Sequence, residues 1–197
     1  MIGMDSQQTA RIISLVFNPP IVAAPTFIAS ILLEGAADSL PLILISVMFG
    51  AFLPLAVIYG LSKLRVISDV WASQRETRVI PFSGVICSYL LGTVALVAVS
   101  SPTFVTSLML CYLGNTVLMM IISLKWKISL HAAGIAGPAT AFVALLGSIA
   151  FPLLLLVLPV CWARLRLKVH TPAQVAAGAI LTIVATYVQL RIYPSLL

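Results

Sequence analysis

Residues 132–163 read AAGIAGPATAFVALLGSIAFPLLLLVLPVCWA, without one charge. A stretch this long allows two folds. It is either one tilted helix, or two short helices, about 132–147 and 151–165, that turn at GSIAFP (147–152). Gly147 and Pro152 favour the turn, because proline removes a helical N–H and glycine tolerates a reversal. Each half would be about 22–24 Å long, thin for a membrane crossing unless neighbours flank it or the bilayer thins.

The rest of the chain is equally apolar. Of its 197 residues 61% are hydrophobic and 8% charged, with a mean hydropathy of +1.17. A soluble domain carries about 25% charged residues, so this chain reads as an integral membrane protein. Further apolar runs at about 12–33, 41–62, 82–99, 103–124 and 172–193 have the length of membrane helices. The alternating ten-residue segments of a barrel are not found. The expected fold is an all-α integral membrane protein, a bundle of six to seven transmembrane helices forming a single domain over 1–197. Asp5 and the Pro19-Pro20 pair make the N-terminus read as a first membrane helix rather than a cleaved signal. Asn18-Pro19-Pro20 reads as a kink. Cys87, Cys111 and Cys161 have no CxxC spacing and read as small hydrophobes.

Charge selects between the two folds of 132–163. With the hairpin, the N-terminus and the loops at 63–81, 124–131 and 163–171 share one face. That face then holds Arg11, Lys63, Arg65, Arg75, Arg78, Lys125, Lys127, Arg164, Arg166 and Lys168. Only Arg191 falls on the other, with Glu34 and Asp38. A single helix would carry the 164–168 cluster across. The positive-inside rule prefers the hairpin and makes the shared face cytoplasmic.

The shared face gathers three polar stretches, SDVWASQRETRVIPF (68–82), KWKISLHAAG (125–134) and ARLRLKVHTPAQ (163–174). His131 and His170 are the only histidines, and each stands where a helix begins. Ser129 reads as an N-cap before His131, and Thr171-Pro172 as N-cap and first helical residue after His170. Helix N-termini and arginine forks both favour phosphate oxygens. One histidine can attack phosphorus and the other can protonate the leaving oxygen. The plainer reading is a set of interfacial cations against lipid headgroups.

Arg164, five residues and then His170 fit the third motif of the type 2 phosphatidic acid phosphatases, the integral-membrane branch of the vanadium haloperoxidase-like superfamily. Ser129-Leu130-His131 resembles that family's second motif, Pro-Ser-Gly-His. Arg75, Arg78 and Pro81 resemble a loosened first motif. The likeness covers about residues 63–195. It implies a membrane-embedded lipid phosphate or diphosphate phosphatase that needs no metal or cofactor. Its substrate would be a prenyl diphosphate or a lipid of the phosphatidic acid type. His170 would be the nucleophile that forms a phosphohistidine, and His131 the general acid. Arg164, Arg78 and Arg75 would hold phosphoryl oxygens, and Ser129 would hydrogen-bond one of them.

The chain departs from the family at several positions. Gln174 stands in place of an Asp that would orient the nucleophile. Its carbonyl oxygen can accept the same hydrogen bond but brings no charge. Asp69 or Glu76 are candidates to supply a carboxylate from elsewhere. Ala163, Ile128 and Leu130 replace motif residues, and Trp71 stands where the first motif has lysine.

The expected partners are a lipid substrate and the bilayer, with no nucleic acid. The alternative is a catalytically degenerate member that binds anionic lipid or a membrane partner. A prenyltransferase would want Asp-rich Mg²⁺ motifs, and the whole chain has five acidic residues. A transporter would want an inverted repeat or acidic residues within a span. Three further features have two readings each. Asn115 reads first as a helix–helix contact. Gly134, Gly137 and Pro138 read as close packing or as room for a lipid tail. Trp71, Trp126 and Trp162 read as an interfacial belt.

Overall fold

The computed structural model describes residues 5–36, 39–67 and 79–197, and all regular structure among them is helical. Helix α1 (Ser6–Val16) starts at Asp5, whose carboxylate and the Gln8 side chain form a reciprocal capping box. It ends at Phe17-Asn18, because the residue before a proline is pushed out of the helical region and Pro19 and Pro20 have no N–H to give. Helix α2 (Pro19–Leu33) leaves at 50° to α1. The single helix expected over 12–33 is therefore two, with the kink at the proline pair.

Helices α3 (Ser39–Val47) and α4 (Leu53–Lys63) make one crossing of 25 residues, joined by a π-helical turn at Met48–Phe52. The widened turn lies just ahead of Pro54, whose ring would otherwise crowd the carbonyl of Gly50. Helices α5 (Val79–Ala98) and α6 (Thr103–Ser123) run unbroken.

The long apolar stretch is a hairpin. Helix α7 (Leu130–Leu146) stops at Gly147, where φ is +72° and a side chain would be strained. A 3₁₀ run (Gly147–Leu156) leads into α8 (Val157–Arg166). Drawn straight, the 37 residues from Leu130 to Arg166 would span about 55 Å. Instead His131 and Arg164, near opposite ends, both hydrogen-bond to Ser14. Val157 and Val160 of α8 pack with Ala132, Ile135 and Ala136 of α7.

Helix α9 (Pro172–Ile192) runs parallel to α7. The Ser129 N–H donates to the Gln174 carbonyl at 3.2 Å. A Cβ on Gly178 would lie 2.5 Å from the Ser129 carbonyl oxygen, so this approach requires glycine.

Among the described residues five helices can cross a membrane by length and apolarity, or six when α1 and α2 count as one bent span. The reversal at Gly147 divides one of these in two, within the expected six to seven. Polarity is arranged for lipid. Leu40, Ile149 and Leu158 face outward, while Ser30, Thr93 and Thr140 are buried. Each of those three hydroxyls donates to the carbonyl four residues back, the standard solution where no water is at hand.

The hairpin gathers the described cations Arg11, Lys63, Arg65, Lys125, Lys127, Arg164, Arg166 and Lys168 at one end of the bundle, and leaves Arg191 at the other. Arg166 also donates to the Ser6 hydroxyl, through Nη2 at 2.6 Å and Nε at 3.0 Å, which ties the start of α1 to this end.

Candidate active site

A cavity of about 160 Å³ runs from the cation-rich end into the bundle. His131, Arg164 and His170 line its head, and Tyr112, Asn115 and Thr182 line its deeper wall. Three of the residues singled out by the second and third motifs, His131, Arg164 and His170, therefore meet at one place, although 39 positions separate His131 from His170.

His170 precedes the first turn of α9. Its Nδ1 lies 3.0 Å from Gln174 Oε1. The Thr171 backbone N–H donates to the same oxygen at 3.2 Å, which fixes that atom as the amide carbonyl. Nδ1 therefore carries the proton, and the lone pair of the neutral ring is on Nε2. Thr171 and Gln174 also form the capping box of α9, so one side chain starts the helix and orients the histidine.

Arg164 lies in the last turn of α8 and is 6% exposed. Its Nη1 donates to Ser14 Oγ at 3.3 Å. His131 is the second residue of α7, and its Nε2 donates to the Ser14 carbonyl at 3.2 Å. That carbonyl is open for a local reason. Where α1 breaks, the Asn18 N–H turns to the Leu15 carbonyl at 3.2 Å, and Ser14 loses its helical donor.

Ser129 caps α7, its Oγ accepting from the Ala132 N–H at 3.4 Å. It is fully buried behind His131 and is not on the cavity wall. Arg75 and Arg78 lie outside the described residues, as do Asp69, Glu76 and Trp71. Among the described residues no three of His, Cys, Asp and Glu come together as a metal site.

Comparison with family models, with curated proteins and with solved structures finds no match. What the site can do is therefore argued from its own chemistry.

Sequence reasoning missed Ser14. It is 2% exposed on a helix shared with Arg11, and it contacts both Arg164 and His131. The sequence gives no signal for this: Asn18 keeps the N–H that would serve the Ser14 carbonyl in a regular helix, and the two prolines take donors only from Leu15 and Val16.

Asn115 does join helices. Its Nδ2 donates to Thr186 Oγ1 at 2.8 Å, and its Oδ1 accepts from Gln189 at 3.1 Å. It also borders the cavity. Gly134 and Gly137 allow close packing and lie beside the cavity. A Cβ on Gly134 would meet the Pro19 ring at 2.6 Å. Trp126 and Trp162 are partly exposed near the same end, as a belt requires. Cys111 is buried, but Cys87 is exposed on α5.

Proposed function

We propose that this protein hydrolyses lipid phosphates at a site within the membrane, through a phosphohistidine on His170. The observation that carries the reading is the hydrogen bond from His170 Nδ1 to Gln174 Oε1. It orients the ring at the head of a cavity shared with Arg164 and His131, with the lone pair of the neutral ring on Nε2.

In the first step Nε2 bonds to phosphorus and the bond from phosphorus to the lipid oxygen breaks. His131 gives that oxygen a proton. In the second step water attacks the phosphohistidine, passes a proton to His131, and releases phosphate. The Arg164 guanidinium offers the paired N–H groups that phosphoryl oxygens favour, with Arg75 and Arg78 as its proposed companions. Two helix N-termini add partial positive charge. The apolar cavity below suits a lipid tail, either a prenyl chain or an acyl chain. The positive-inside rule assigns the site to the cytoplasmic leaflet.

One observation favours a second reading, a protein that binds anionic lipid without cleaving it. His131 Nε2 is engaged by the Ser14 carbonyl, a bond that holds the fold together whether or not the ring transfers a proton.

The deciding experiment is phosphate release by purified protein in EDTA, offered prenyl phosphates, prenyl diphosphates and phosphatidic acid. Turnover should fall by about a thousandfold or more in His170→Ala and by about a hundredfold or more in His131→Ala. Lipid binding with no turnover on any substrate would establish the second reading.

A further inference from the structure

The deeper wall of the cavity holds a polar group that the hydrolysis does not use. Thr182 Oγ1 is buried without a hydrogen-bond partner, and Thr182 lines the cavity. Thr182 is 1% exposed. The usual solution was within reach, because the Gly178 carbonyl stands four residues back on the same helix. Thr26, Thr93, Thr116 and Thr140 all take that bond, and Thr182 does not. A hydroxyl without a partner in an apolar interior has lost its water and gained nothing in return, so a ligand that reaches this wall with an acceptor atom gains affinity there.

The depth can be placed. A Cβ on Gly137 would lie 3.3 Å from Thr182 Cγ2, so the two residues are level. Gly137 follows His131 by six positions on α7, which puts Thr182 about 9 Å below the head of the site.

We propose that Thr182 forms a second polar subsite that donates to a carbonyl oxygen carried on the lipid's chain. The preferred substrate is then a phosphate lipid with an acyl-type oxygen a short way below its phosphorus, and not a plain hydrocarbon phosphate. The inference rests on the lipid phosphate reading above. It narrows the two tail chemistries left open there to one.

The test compares three probes in EDTA: a diacyl phosphatidic acid, its dialkyl ether analogue, which lacks the carbonyls, and farnesyl phosphate. Two readouts are taken, kcat/KM for phosphate release and the rise in Tm on lipid binding. Wild-type protein should favour the diacyl lipid over the other two by about threefold to tenfold, the worth of one or two hydrogen bonds. Thr182→Val, which keeps the side chain's shape, should bring that ratio to about one. Thr182→Ser, which keeps the hydroxyl, should retain it.

Equal use of the three probes by wild type would overturn the subsite. So would a ratio that survives in Thr182→Val, or a loss in that variant of equal size for all three probes, which would mark a packing role. If no probe is hydrolysed, the phosphatase reading falls. The Tm ratios still decide the subsite, supporting it where the diacyl advantage is lost in Thr182→Val and overturning it where it persists.

Discussion

The two ends of the cavity treat polarity in opposite ways. At the head, helix ends do the work. Gln174 caps α9 and holds His170, the broken end of α1 offers its Ser14 carbonyl to His131, and the Ser14 hydroxyl holds Arg164. About 9 Å deeper, inside an unbroken helix, Thr182 keeps a hydroxyl without a partner. The head is thus organised before any ligand arrives. The deep wall has a donor that only a ligand can use. Geometry needed for chemistry is fixed in advance, while groups that sort ligands can wait for contact.

The largest effect that could break this comparison is expected from Arg164→Ala. The guanidinium is buried, and its removal takes the paired donors from the phosphoryl oxygens and strands the Ser14 hydroxyl. Phosphate release should fall by about a hundredfold in kcat/KM, and stability should drop by about 1–3 kcal/mol from the unpaired hydroxyl. Steady-state kinetics and thermal unfolding measure the two. A loss of stability with kinetics intact would make Arg164 a structural residue and leave the head without its phosphate clamp.

Much of the fold was legible because membrane physics leaves few choices. Apolar runs had to be helices, and the side on which cations gathered chose the hairpin before any contact was known. Gly147 and the proline pair marked the reversal and the bend. The boundaries of the first span were read wrongly in detail, since two prolines end a helix as well as kink it. The site was legible in part. His131, Arg164 and His170 stand out as rare polar residues in a chain that is 8% charged.

Ser14 was not legible, because its partners lie 117 and 150 positions away and serine is common in this chain. Thr182 was hidden for a different reason. In sequence it is one of many helical hydroxyls, and nothing local separates those that bond to their own helix from one that faces a cavity without that bond. Gln174 was read only as a substitute for a carboxylate. Its place three residues after Thr171 also marks it as a cap.

Gln174→Glu sharpens the comparison with a middle-sized effect. The glutamate can still accept from the Thr171 N–H and from His170 Nδ1, so cap and orientation survive. It adds a charge that stabilises the positive ring formed when Nε2 attacks phosphorus. kcat should rise by about tenfold. The sign of the pH effect follows from the same charge. A carboxylate favours the protonated ring, and attack requires the neutral one, so the acidic limb of the rate profile should move to higher pH. Rates measured from pH 5 to 9 test both points. A fall in kcat with the limb unmoved would mean that His170 is not the nucleophile.

Ser14→Ala should give the smallest effect and asks how far the head is organised in advance. The substitution leaves the backbone carbonyl for His131 and removes only the hydroxyl that Arg164 Nη1 holds at 3.3 Å. Alanine is also the better helix former by about 0.5 kcal/mol, which offsets part of the lost hydrogen bond. The Tm should therefore change little. If the hydroxyl holds the guanidinium where phosphate will arrive, its loss loosens Arg164, and KM should rise by about twofold to fivefold with kcat nearly constant. A lower KM would mean that the serine competes with phosphate for the same N–H group. The head would then resemble the deep wall, with donors that a ligand must claim, and the contrast between the two ends would be one of degree.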